Sequence, residues 1–527
     1  MNPESEPAEQ HSSGFKLLRS AFTVGGMTML SRVLGLVRDV TVAVFVGASA
    51  NADAFFIAFK VPQFLRRLFA EGAFSQAFVP VLAEYRESGT REAMQLLINR
   101  VAGVLGGTLL LVTGLMVVGA PVLTAVFAPG FIDSPAKYQL TSELIRITFP
   151  YLFLISMTGF CGAILNSFGR FAVPAFTPVW LNISLIVGAV WISPQLDEPV
   201  FALAWAVLFA GLIQLCFQLP FLGRLGLMPR PEWRPDDPGV RQIMTLMVPA
   251  LFGVSVSQIN LLLDTVIASF LPTGSVSWLY YSDRLTELPL GVFGIAIATV
   301  VLPSLSRLQA GDDPEKFAKT LDWALRSVLI VALPATAALL ILARPILLTL
   351  FQYGALTVTD IQMVALALCA YSVGLTAFML IKVLAPGYYA RKDMRTPVEI
   401  GIVAMVSNMV MNLILVIPLY YYWNIGHVGL ALATSLSAWL NAGLLFRGLR
   451  KQGVFYFQPG WWTLVLRLLL ATLAMSSLLL LMRPGIELWL DWGWQQRVAQ
   501  LALLVVAGVG SYLAVLAACG VKIRDFH

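Results

Sequence analysis

Two runs of this sequence place arginines where their neighbours are apolar. SRVLGLVRDV carries Arg32, Arg38 and Asp39, and YYSDRLTELPLG carries Asp283, Arg284 and Glu287. Arg32 and Asp39 are seven apart and share one face of a helix. Arg38 points elsewhere unless Gly35 lets the helix bend. Asp283 and Glu287 are four apart and Arg284 and Glu287 three apart, both contact spacings on a helix. The guanidinium fork suits planar, paired hydrogen bonding to phosphate. Buried arginines at these positions therefore suggest an anionic, phosphate-bearing ligand. The competing reading makes Arg284 an internal partner of Glu287 and nothing more.

A third run, DAFFIAFKVPQFLRRLFAEGAFSQAFVPVLAEY, adds Asp53, Lys60, Arg66, Arg67, Glu71, Ser75 and Gln76. Arg66 and Arg67 are adjacent, so at most one of them faces a cavity squarely. Pro62, Gly72 and Pro80 can break or kink the helix. A helix this polar and bendable suits a moving pathway better than a wall facing lipid. Elsewhere, Asp264, Asn408, Asn412 and Thr434 offer oxygen atoms in apolar surroundings. Oxygen is the ligand type hard cations prefer, which admits a sodium site. Asn and Thr inside membranes also serve as interhelical glue. His11, His427 and His527 are scattered, against a metal cluster. Cys161, Cys216, Cys369 and Cys519 form no C-x-x-C pair and read as small packing residues. Asp236 and Asp237, set between prolines, read as a turn. No clustered carboxylate pair on a substantial loop suggests catalysis, so no enzyme is expected.

The elements that must hold these residues follow from composition. Of 527 residues, 58% are hydrophobic and 12% charged, with mean hydropathy +0.80. An ordinary soluble domain is about 25% charged. So much apolar surface requires a bilayer, and it excludes a disordered chain, a disulfide scaffold and a secreted enzyme. The net charge of +6 is spread over short loops, against nucleic-acid binding. Breaks carrying Pro, Gly or charge divide the chain into fourteen apolar spans. They run over 20–47, 54–84, 98–127, 140–167, 173–193, 200–223, 242–270, 276–306, 320–344, 359–388, 396–418, 427–447, 460–482 and 497–520. One set of connections then holds 21 cations and the other 4, namely Lys137, Arg344, Arg483 and Arg497. This asymmetry predicts that both termini are cytoplasmic. Arg146, Arg326 and Arg467 lie near span ends and can snorkel to the interface. The polar segment 1–15 reads as a disordered tail, and no cleaved signal peptide is expected.

The third run resembles the signature of the MurJ/MviN lipid II flippases. SRVLGLVRD, GSVSWLYYSDRLTELPLGVFGIAIATVVLPSLS, FQYGAL, AYSVGL and APGYYARKDMRTPV are similar to the same family, and the likeness extends from about residue 15 to the end. The resemblance implies an all-α polytopic fold of the multidrug/oligosaccharidyl-lipid/polysaccharide exporter type. Two six-helix lobes, 16–224 and 225–450, would be followed by two extra helices in 451–527 lining a groove for the isoprenoid tail. It implies alternating access that carries the undecaprenyl-pyrophosphate-linked peptidoglycan precursor from the inner to the outer leaflet of the bacterial inner membrane. By position, the family's cavity charges fall on Arg32, Arg38, Asp39, Arg66 and Arg284. Its gating positions fall on Asp53 and Glu287. Its sodium positions fall on Asp264, Asn408, Asn412 and Thr434, with an Asn where a relative has a carboxylate.

The expected function is thus lipid II flipping in peptidoglycan synthesis, with no required cofactor and sodium as an optional ion. Lipid II and membrane lipids are the expected partners, and cell-wall synthesis proteins are compatible ones. The alternatives are an exporter of another lipid-linked oligosaccharide or of drugs, and a lipid-dependent glycosyltransferase. A drug exporter would favour cavity acids for cationic substrates, and the buried arginines argue against it.

Overall fold

The computed structural model describes residues 6–67, 74–311 and 313–520, with the side chains of 6–24, 88, 250, 252–257, 295, 296, 298 and 299 left aside. The described residues are helical, with no strand among them. The chain forms two compact units, residues 1–270 and 271–527.

The first unit contains α1 (Glu6–Val46), α2 (Ala50–Leu65), α3 (Ser75–Ser88), α4 (Arg91–Val118), α5 (Ala120–Phe127) and α6 (Pro135–Thr148). It continues with α7 (Tyr151–Ser167), α8 (Ala172–Phe176), α9 (Pro178–Val187), α10 (Pro199–Leu225) and α11 (Pro238–Ser269). The second contains α12 (Ser275–Pro289), α13 (Ile295–Ala310), α14 (Pro314–Leu350), α15 (Val358–Tyr389) and α16 (Arg395–Trp423). After these come α17 (Gly426–Lys451), α18 (Trp461–Met482), α19 (Ile486–Asp491) and α20 (Trp494–Ala518).

Ten continuous helical stretches are long and apolar enough to cross a bilayer among the described residues. They correspond to ten of the fourteen expected spans. The other four, over 20–47, 54–84, 242–270 and 276–306, carry the polar residues or are interrupted. Expected boundaries shift in two places. Helix α1 begins at Glu6, inside the segment read as a disordered tail, with Pro7 placed in its first turn, where a missing N–H costs nothing. The division between units falls at 270/271 rather than 224/225, because α11 packs against α3, α4 and α5. Helices α18 and α20 pack on each other and on α14, within the second unit.

Local sequence explains the helix starts. Ser49 accepts a hydrogen bond from the Ala52 N–H, and Thr90 from that of Ala93. Thr357 and Asp360 cap α15 reciprocally. Asp237 accepts from the Gly239 and Val240 N–H groups and precedes Pro238 at the first position of α11. The turn reading of Asp236–Asp237 is therefore a helix cap. The loop before it is strapped onto α4. Arg230 N–H donates to Asn99 Oδ1 at 2.8 Å, and Glu232 N–H donates to Asn99 O at 3.0 Å. A Cβ on Gly103 would lie 2.1 Å from Glu232 O, so only glycine permits this approach.

Without water to drive helices together inside a bilayer, close packing of small residues does much of the work. Gly374 lies against Ser435, and Gly429 against the Val416 backbone, where a Cβ would come within 2.9 Å. The buried residues of α16 are Ala404, Asn408, Asn412 and Val416, a single stripe at intervals of four. The rest of that helix exposes Val403, Val406, Val410, Leu413, Ile414 and Ile417, as a lipid-facing helix should.

The second span of each unit is broken in the same way. In the first, α2 contains Pro62 and passes into a wider helical turn at Arg66 and Arg67 before α3. In the second, α12 ends at Pro289, a wider turn runs over Leu290–Gly294, and α13 follows. Pro62 thus disturbs its helix as expected. Gly72 and Glu71 lie outside the described residues. Such turns carry one surplus residue and often accompany functional sites.

Candidate binding residues of the two units

In the first unit, Arg38 and Asp39 are buried, at 8% and 2% exposure. Arg38 donates Nε and Nη2 to Asp39 Oδ1 at 2.9 and 2.7 Å. Its Nη1 donates to Asn182 Oδ1 at 2.9 Å, and Asn182 Nδ2 donates to Ser31 O at 2.9 Å. Asn182 therefore ties α9 to α1, packed over Gly35, whose missing side chain leaves room for the amide. The expected shared face of Arg32 and Asp39 is not the operative relationship. Asp39 is held by its neighbour Arg38, because a long arginine side chain folds back across the roughly 100° between adjacent residues. Arg32 is half-buried and has no side-chain partner among the described residues.

Asp53, in the first turn of α2, is 1% exposed. It accepts from Lys137 Nζ of α6 at 3.1 Å, and the ammonium also lies 4.0 Å from the Phe131 ring centre. A buried carboxylate of this kind persists only with such compensation.

Arg66 follows α2 and donates Nη2 to Gln63 Oε1 at 3.1 Å. It lines a cavity of about 390 Å³ in the first unit, whose wall also includes Ser75, Thr158, Thr177, Gln214 and Gln218. Gln214 and Gln218 are four apart on α10 and 2% exposed. They donate to Thr177 O at 3.1 Å and Thr177 Oγ1 at 2.9 Å. Tyr151 Oη donates to Gln214 Oε1 at 3.3 Å. Sequence reasoning passed over this group. The available signal was a pair of glutamines at helical spacing in an otherwise apolar span.

In the second unit, Arg284 donates Nη1 to Glu287 Oε2 at 2.7 Å, and its guanidinium lies 5.0 Å from the Tyr280 ring centre. Their side chains are 30% and 45% exposed, so this pair is accessible rather than sealed. On the same helix Trp278 donates Nε1 to Asp360 Oδ1 at 2.8 Å and packs against the buried His427 ring. Arg326 does not snorkel freely. It pairs with Asp322 at 2.6 Å, donates to the Gln458 and Pro459 carbonyls, and lies against Trp461, joining α14 to the start of α18.

Of the oxygen-bearing residues, Asp264 is half-buried in α11 of the first unit. Asn408 and Asn412 are buried in the stripe of α16 that packs on α17, where Ser437 donates to Ala404 O at 2.7 Å. Thr434 is half-buried and donates its hydroxyl to Leu430 O at 3.0 Å. Among the described residues, no three His, Cys, Asp or Glu side chains gather as a metal site.

Residues 42–495 match the family model described as lipid II flippase MurJ. A probable lipid II flippase MurJ of Vibrio cholerae serotype O1 is 52% identical over 517 residues, which is 97% of each chain. The lipid II flippase MurJ of Burkholderia cenocepacia is 40% identical, covering 97% of this chain and 99% of the relative. Among solved structures, lipid II flippase MurJ in an inward closed conformation superposes with a TM-score of 0.78 at 27% identity, over 93% of this chain and 97% of the other. An inward-facing multidrug resistance MATE family transporter of the MOP superfamily has a TM-score of 0.65 at 16% identity, over 82% and 98%, a likeness of fold alone.

Proposed function

The chain belongs to the lipid II flippase MurJ family, and on that premise we propose how its residues divide the work of transport. It is a multi-pass protein of the bacterial inner membrane that flips lipid II for peptidoglycan synthesis, a transporter rather than an enzyme. The precursor moves from the inner to the outer leaflet by alternating access, with binding and release as its only chemistry. The full-length relationship to MurJ relatives, at 52% identity for one of them, carries this reading.

Arg32, Arg38, Arg66 and Arg284 serve the pyrophosphate, and Asp39 holds Arg38 in place for it. What supports these roles is guanidinium chemistry, since a desolvated pyrophosphate needs fixed donors in place of water. Arg32 and Arg284 are the accessible members of the set. Asp53 and Glu287 act in gating. Each is ion-paired, Asp53 with Lys137 and Glu287 with Arg284, and an ion pair can be exchanged as a pathway opens. Helices α18 and α20 flank the isoprenoid tail. Both termini face the cytoplasm. No cofactor is required. Sodium enters only as an optional occupant for the oxygens of Asp264, Asn408, Asn412 and Thr434, and cell-wall synthesis proteins only as optional partners. An inside-negative potential favours outward movement of an anion by about 2.3 kcal/mol per charge per 100 mV.

The deciding experiment is depletion. Loss of the protein should make lipid II accumulate in the inner leaflet, and re-expression should clear it. Unchanged leaflet distribution on depletion would overturn the reading.

A further inference from the structure

The cavity beside Arg66 has a chemistry of its own. It lies wholly within the first unit, bordered by α2, α3, α7, α9 and α10. At about 390 Å³ it falls in the range of small-molecule sites, about 300–1,000 Å³. Its wall offers one cation, two amides and several hydroxyls, with no carboxylate. Gln218 is 2% exposed, and its Oε1 is buried with no hydrogen-bond partner, although its Nε2 is used by Thr177. A buried amide oxygen in that state costs free energy until a donor reaches it. Gly159 also lines the cavity, and a Cβ built on it meets nothing within 4 Å.

Together these features ask for a ligand that is anionic at one end and rich in hydroxyl donors at the other. We infer that this cavity is a subsite for a sugar ring bearing a phosphate, the ring's hydroxyls donating toward Gln218 while the phosphate meets Arg66. The inference rests on the flippase reading for its biological meaning. It adds to that reading a place inside the first unit for the sugar next to the pyrophosphate. Neutral amides and hydroxyls are the groups that read sugar hydroxyls without demanding charge. The cavity is too small for the whole head group, so the remainder would lie outside it.

The test uses the full-length protein in detergent and three soluble probes: N-acetylglucosamine 1-phosphate, inorganic phosphate and N-acetylglucosamine. Binding is read by thermal unfolding and by ligand-observed magnetic resonance. The sugar phosphate should bind at least tenfold more tightly than either fragment. Gly159→Leu should abolish that advantage by filling the cavity, while its unfolding temperature without ligand stays at or above wild type. Gln218→Met should reduce the sugar phosphate to the level of phosphate alone, and Arg66→Gln should reduce it to that of the sugar alone. A sugar phosphate bound no better than phosphate, or bound equally by Gly159→Leu, would overturn the subsite and leave a cavity for water only. These readouts involve no flipping. Correct binding with no effect of depletion on lipid II would defeat the flippase reading and spare the subsite, whereas the reverse pattern would do the opposite.

Discussion

Arg38 donates to Asn182 across 144 residues of sequence while also gripping its neighbour Asp39. A charge that could bind substrate is thereby fixed in orientation before any substrate arrives. Fixing a donor in advance lowers the ordering cost of binding. Removing it has two effects that can be separated. Arg38→Ala leaves Asp39 buried without its cation, with an expected cost of roughly 3–5 kcal/mol. Adding Asp39→Asn should restore most of the thermal stability and none of the transport. Recovery of both in a complementation assay would remove Arg38 from substrate binding.

Arg284 should behave differently. Its pair with Glu287 is 30% and 45% exposed, and a pair so accessible contributes about 0–1 kcal/mol. Arg284→Ala should therefore insert and unfold much like wild type while failing to complement. Arg284→Lys should rescue only in part, because a point charge does not reproduce the fork. If Arg284→Ala with Glu287→Ala regains transport, the arginine serves only its neighbour.

Orientation can be checked by single-cysteine labelling. The asymmetry of 21 cations against 4 puts the 224–241 connection and both termini in the cytoplasm, and the 48–53 and 271–275 connections outside. With the outer membrane permeabilised, an impermeant thiol reagent should label Asn51→Cys and leave Asp236→Cys untouched until lysis. Labelling of the latter in intact cells would reverse the topology.

The seam between α16 and α17 bears on sodium. Asn408 and Asn412 share their stripe with Ala404 and Val416, which touch Ser437 and Gly429 of α17. Interhelical packing accounts for their burial, so unfolding temperatures should match in sodium and in N-methylglucamine at equal ionic strength. Asn412→Leu should lower both alike. A stabilisation specific to sodium, absent in that variant, would instead establish an ion site.

A pH effect is expected in the short turn between α15 and α16. Asp393 accepts from the Thr396 N–H at 3.0 Å, and this bond to the backbone holds its carboxyl below the ordinary value of 3.8. A carboxyl depressed on folding stabilises at pH above its unfolded value. That contribution is lost as pH falls through the lower folded value. Amide hydrogen exchange around 393–397 should be steady above about pH 4 and accelerate below it. Asp393→Asn should show the faster exchange at every pH.

The spans were legible because apolar length is a strong signal, and the four that escape a simple hydropathy criterion are those with polar residues or breaks. The arginines were legible by their cost in lipid. Their partners were not. Asn182 lies far along the chain from Arg38, and Lys137, placed among the outward cations, gave no sign that it reaches Asp53. The repeated break in the second span of each unit was equally hidden, since Arg66 and Arg67 mark one copy and Leu290–Gly294 the other, with no residue type in common at the turn itself beyond leucine and phenylalanine nearby. The cavity around Gln218 needed three helices to be brought together before its glutamines had a meaning.

The wider turn over Leu290–Gly294 also says what kind of genetic change this protein can least absorb. A turn with one surplus residue keeps two helical registers out of phase. Deleting a single codon there would let the helix close up regularly and would rotate everything beyond it by roughly 100°. Val301 and Leu305, now in the core, would swing away from it, while the exposed Val300 and Leu302 would change places with their neighbours. Substitutions in this turn alter one side chain each; a deletion would rephase the whole of α13.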